Sequence, residues 1–84
     1  MNELTTLANI GKTLADRLEQ AGISTVQEFK ELGAKEVFIR VKCVYPDACI
    51  NHLYAIEGAV QNLRWHNLSK ERKKELKSFY DSLT

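Results

Sequence analysis

The sequence predicts an all-α fold, a compact bundle of five helices in a single domain over residues 1–84. Three observations predict it. Apolar residues recur at three- and four-residue spacing along most of the chain, the pattern of helices with one buried face. Gly11, Gly22, Gly33 and Pro46 punctuate that pattern at short intervals, leaving joints rather than linkers. Only one short stretch alternates as a strand does, and a lone strand has no partner for its backbone hydrogen bonds.

A brief N-terminal turn and the tight loop Leu7-Ala8-Asn9-Ile10-Gly11 lead into a first helix over 12–21. Leu14, Ala15, Leu18 and Ala21 share one side of it, and Gly22 supplies the left-handed cap. Ser24 or Thr25 offers a side-chain oxygen to the free amides of the next helix, which carries Val26, Phe29 and Leu32 inward and stops at Gly33. Residues 37–45 are ambiguous. Val37, Ile39, Val41, Cys43 and Tyr45 alternate, yet Ala34, Val37, Phe38, Val41, Val44 and Tyr45 fit helical spacing equally well. With no second strand in sight the stretch reads as the third helix, ended by Pro46.

The fourth and longest helix is expected over 47–64. Cys49, Leu53, Ile56, Val60 and Leu63 form one apolar stripe, with Ile50, Tyr54 and Trp65 alongside. Trp65 reads as a core anchor. Glu57 falls between the stripes, and a buried carboxylate of that kind is expected to pair with a nearby cation such as Arg64. Ser69 caps the fifth helix, 70–83, whose inward side is Leu76, Phe79, Tyr80 and Leu83.

Composition narrows the function. One core is all that 84 residues build, with little room for a cofactor pocket, and no nucleotide-binding, zinc-protease or serine-hydrolase motif is present. The chain therefore reads as a non-enzyme without cofactor, metal or small-molecule substrate. No apolar run approaches the roughly 20 residues of a membrane span. The N-terminus lacks a signal-peptide profile, so a cytoplasmic location is expected. Cys43 and Cys49 are expected to be reduced core residues. The alternative, a metal site joining Cys43, Cys49, His52 and His66, lacks the paired-cysteine spacing of zinc ligands.

The net charge of +1 excludes binding to nucleic acid by bulk charge, but it hides a segregation. Residues 1–63 hold six cations and eight acids, whereas residues 64–84 hold six cations and three acids. Within the second part Lys70, Lys73, Lys74 and Lys77 recur at helical spacing and project from one face. Their like-charge pairs cost about 0.2–0.5 kcal/mol each, which an acidic partner would offset. The plainer reading is a solvated helix face.

The loop Leu7-Ala8-Asn9-Ile10-Gly11 followed by Lys12-Thr13-Leu14-Ala15 resembles the turn of a helix-hairpin-helix element, with Asn9 in place of that motif's first glycine. The resemblance implies that amides of Gly11, Lys12 and Thr13 hold a DNA phosphate at a helix start, where unpaired N–H groups and the helix dipole favour an anion. A simpler account of the same residues is a helix–helix joint plugged by Ile10.

The wider sequence resembles the C-terminal domain of the TfoX/Sxy family. The matching residues are Ile10-Gly11-Lys12, Ala21-Gly22-Ile23, Leu32-Gly33-Ala34, the run Leu53-Tyr54-Ala55-Ile56-Glu57-Gly58-Ala59 and Arg64-Trp65-His66. The resemblance implies a small helical, helix-hairpin-helix or SAM-like fold. TfoX/Sxy proteins regulate DNA-uptake competence in bacteria and usually carry a further N-terminal domain, whereas this sequence reads as the C-terminal domain standing alone. The expected partner is the duplex DNA backbone, through Gly11, Lys12, Thr13 and the lysines 70, 73, 74 and 77. The alternative is a SAM-like module that docks a protein or self-associates.

Overall fold

The computed structural model describes residues 3–83. Among the described residues there are four α-helices and two short 3-10 turns, and no strand. After a 3-10 turn over Glu3–Thr6 come α1 (Lys12–Gln20), α2 (Val26–Val44), α3 (Ile50–Gln61) and α4 (Lys70–Ser82), with the second 3-10 turn, Trp65–Asn67, between α3 and α4.

Four helices rather than five result from Gly33. Its backbone leaves the helical region (φ 80°, ψ 165°), a conformation that glycine adopts without a Cβ clash. The chain bends there, yet a single residue leaves no room for a joint, and helix resumes at once. The two expected segments are therefore the arms of one bent α2. In the second arm Ala34, Val37, Phe38 and Val41 are buried while Cys43 and Val44 are exposed, the helical alternative for the ambiguous stretch. Cys43 is thus not a core residue, and Cys49 is only half-buried.

The predicted longest helix is shortened at both ends, and α2 is the longest instead. Its first residues form a turn, with the Ala48 N–H donating to the Tyr45 carbonyl (2.9 Å), and Lys42 Nζ donates to the carbonyls of Pro46 and Ala48. Its far end stops at Asn62, which takes the left-handed conformation (φ 59°) while the Leu63 N–H returns to the Gly58 carbonyl at 2.7 Å. That bonding pattern closes a helix by satisfying its last carbonyls. Leu63 consequently leaves the expected stripe and is 38% exposed.

Leu4, Leu18, Ile23, Phe29, Phe38, Leu53, Ile56 and Leu76 are fully buried in one apolar core. Phe79, Tyr80 and Leu83 pack against its edge, as the spacing in α4 predicts. Glu57 lies inside this core at 4% exposure. Its partner is Arg72 of α4 (Nη2 to Oε1, 2.8 Å), not the exposed Arg64, and Gln61 Nε2 also donates to it. Among the described residues no helix is long and apolar enough to cross a membrane, and no three His, Cys, Asp or Glu side chains form a metal-ligating group.

Candidate nucleic-acid interface

Two helix starts are closed by hydroxyls. Thr25 accepts from the Glu28 N–H and Ser69 from the Arg72 N–H, each at 3.1 Å. In α3 the His52 ring reaches back, its Nδ1 accepting from the Cys49 N–H at 3.1 Å. The start of α1 differs. Its N-cap, Gly11, has extended backbone (φ −89°, ψ −179°) and no side chain with which to accept from the first-turn amides.

Gly11, Lys12 and Thr13 are all exposed and line one wall of an open depression of about 380 Å³. Asn51 and His52 of α3 line the depression too, as does Arg17 of α1. Sequence reasoning missed these three. Arg17 could have been found, because it stands four residues beyond Thr13 and shares its helix face. Its guanidinium lies 4.5 Å over the Tyr45 ring, its Nη2 is 3.7 Å from Asp47 Oδ2, and its buried Nη1 makes no hydrogen bond. The Tyr45 hydroxyl in turn donates to Gln20 Oε1 at 2.8 Å, which holds that ring against α1.

Asn9 builds the turn that precedes α1. It is left-handed (φ 68°), a region that Asn tolerates better than most side chains. Its Nδ2 donates to the Leu63 carbonyl at 2.8 Å and to the Ala55 carbonyl at 3.4 Å, and its Oδ1 accepts from the Trp65 N–H at 3.1 Å. Glycine at this position would keep the turn and lose the clamp. Asn9→Gly is therefore expected to lower stability by about 2 kcal/mol in urea denaturation, since it leaves part-buried polar groups unpaired. Asn9→Ala should lose roughly 1 kcal/mol more from left-handed strain.

The clamp extends toward the lysine stripe. Trp65 stands in the 3-10 turn rather than in a helix and is half-buried, packed on the core margin instead of anchoring its centre. Lys73 Nζ lies 5.6 Å from the Trp65 ring centroid. The path from Asn9 through Trp65 thus joins Lys73 to the loop before α1. Lys70 and Lys74 are exposed on the same flank of α4, whereas Lys77 pairs with Asp81 at 3.1 Å. A second, apolar depression of about 230 Å³ lies elsewhere, between Ile39, Lys42, Cys43 and Leu83.

The family model for the TfoX C-terminal domain matches residues 1–80. The chain belongs to the TfoX C-terminal domain family. Its fold also superposes on two crystal structures from Listeria monocytogenes. One is a triclinic form of an uncharacterised protein, 49% identical with a TM-score of 0.93, the match covering 95% of this chain and 91% of that one. The other is a tetragonal form of a protein of unknown function, 48% identical with a TM-score of 0.93, covering 95% and 99%. No curated protein sequence matches. In this TfoX C-terminal domain the loop before α1 follows the four-residue turn Glu3–Thr6, and Asn9 takes the positive φ while Gly11 stays extended.

Proposed function

We propose that this domain binds the backbone of DNA at the start of α1, without reading sequence. The observation that carries this reading is the helix start with no side-chain cap, opening on a depression walled by Lys12 and Arg17. Exposed first-turn amides with two cations beside them suit a phosphate, and such contacts position a protein on nucleic acid without specifying a base. The helix-hairpin-helix likeness of residues 7–15 supports the same site, with Gly11, Lys12 and Thr13 as amide donors and Lys73 beside the loop. Lys70, Lys74 and Lys77 add longer-range attraction. The regulatory role implied by the TfoX/Sxy resemblance fits this, the domain holding DNA while another protein reads the sequence.

Duplex DNA titrated into labelled protein at low salt is expected to shift the amide resonances of Gly11, Lys12 and Thr13. Lys12→Glu should weaken binding roughly tenfold and flatten the slope of log K against log salt by about 0.9, the loss of one neutralised phosphate. Unmoved resonances in this turn at low salt would remove the proposal. A protein-interaction module is the second reading, favoured by the apolar depression at Ile39, Cys43 and Leu83 next to Val44, which is 44% exposed. That reading expects no salt-sensitive DNA shift.

A further inference from the structure

Trp65 and His66 form a pair of stacked rings on the 3-10 turn, centroids 4.1 Å apart and planes 29° from parallel. Tyr54 of α3 lies against Trp65 with ring planes 9° apart and centroids 6.4 Å apart, so the half-buried indole is supported from the core side. His66 is the exposed member of the stack. The turn beneath is well tied. The Asn67 N–H donates to the Arg64 carbonyl at 2.9 Å, and the Leu68 N–H donates to the Trp65 carbonyl at 3.2 Å with its side chain buried.

One cation lies over these rings and others stand near them in sequence. From residue 64 to residue 75 the chain carries Arg64, Lys70, Arg72, Lys73 and Lys74 against Glu71 and Glu75, Arg72 being paired with Glu57 and Glu75, and the Lys73 ammonium sits over the indole. The Trp65 N–H is bonded to Asn9, and Gly11 follows two residues later, so no more than about 7 Å of extended chain separates Asn9 from the α1 start. A stacked aromatic pair with the Lys73 ammonium over it suits a ligand that combines phosphates with an open π-face. Duplex DNA keeps its bases stacked inside and offers no such face, whereas an unpaired base does.

Resting on the phosphate-binding reading above, we infer that the Trp65–His66 stack receives an unpaired base, and that the preferred ligand is single-stranded rather than duplex DNA. The phosphate lies at the α1 start and the base lies on the exposed imidazole, with Lys73 over the indole.

Trp65 is the chain's one tryptophan and serves as the probe. A short oligothymidylate and a blunt duplex of equal length would each be titrated into the full chain, following Trp65 emission and, independently, the anisotropy of labelled DNA. The single strand is expected to quench Trp65 and to bind more tightly than the duplex. His66→Ala, an exposed position, should weaken single-strand binding about fivefold or more, as loss of one stacked base does, and leave duplex binding unchanged. Equal affinity for both forms with unchanged Trp65 emission would overturn this inference and leave phosphate binding standing. Unaltered single-strand affinity in His66→Ala would also overturn it. Binding of neither DNA at low salt would remove both readings.

Discussion

Gly58→Ala is expected to destabilise the domain by about 3 kcal/mol, although alanine in the middle of an ordinary helix is favoured over glycine by about 1 kcal/mol. The reversal has a structural cause. A Cβ on Gly58 would lie 2.5 Å from Asn9 Nδ2 and 2.7 Å from the Leu63 carbonyl oxygen, with the Trp65 nitrogen at 3.2 Å. The carbonyl belongs to backbone already returning to close α3, and the amide is the clamp itself, so neither moves without losing its bonds. Overpacking of about 1–3 kcal/mol adds to unpaired polar groups worth about 1–3 kcal/mol. Urea denaturation should show a lower midpoint. In Asn9→Gly, which vacates the clamp, Gly58→Ala should cost measurably less. An additive double variant would place the strain elsewhere.

The second large effect lies one residue earlier in α3. Arg72→Met is expected to cost about 3 kcal/mol at neutral pH, because removing one partner strands a buried charge. Glu57 has a side chain only 5% exposed, and what remains to it is Gln61. The value sits at the low end because the Arg72 side chain is 31% exposed and water relieves part of the loss. Glu57→Leu combined with Arg72→Met should recover most of the stability, since apolar groups of similar size replace buried pairs at little cost. In the wild type the hydrogen bond to Glu57, outweighing burial, raises the Arg72 guanidinium above its ordinary value. A raised folded value means that the contribution is present below the unfolded value and lost only as pH rises through the folded one. The pair therefore holds through neutral and mildly alkaline pH, and thermal melts there should separate wild type from Arg72→Met by a constant interval.

Much of this architecture could be read from residue spacing. The apolar faces of α1 and α4 stand as the periodicity predicts, and the ambiguous stretch resolves as helix because Ala34, Val37, Phe38 and Val41 all reach the core. The errors fall where a single residue's backbone overrides the pattern. Gly33 bends a helix that it is expected to end, and Asn62 ends one that spacing would continue to residue 64. Hydrophobic periodicity carries no information about φ, and only the Asn in a cap-compatible place hinted at the second. The partner of Glu57 was missed because Arg64 is closer along the chain, while Arg72 is closer in space once α4 folds back. Of the candidate interface, the turn before α1 and the lysines were visible as motifs. Asn51 and His52 enter by packing between helices, which no local pattern encodes, whereas Arg17 shares the helix face of Thr13. Asn9 looked like a defect in a glycine motif and proves to be the tie between the turn and α3.

That tie also orders the events of folding. Asn9 bonds to residues 46, 54 and 56 positions further along the chain, so the loops it closes span more than half the molecule. Closure entropy for such loops must be met before their bonds contribute, and contacts of long sequence separation form slowly. The turn at Asn9 therefore locks only after α3 has reached its left-handed end at Asn62, while α1 and the arms of α2 need only nearby contacts to form. The α1 start is therefore expected to acquire its fixed shape late in assembly. Ligand binding there draws on the completed fold and stabilises contacts of long sequence separation within it.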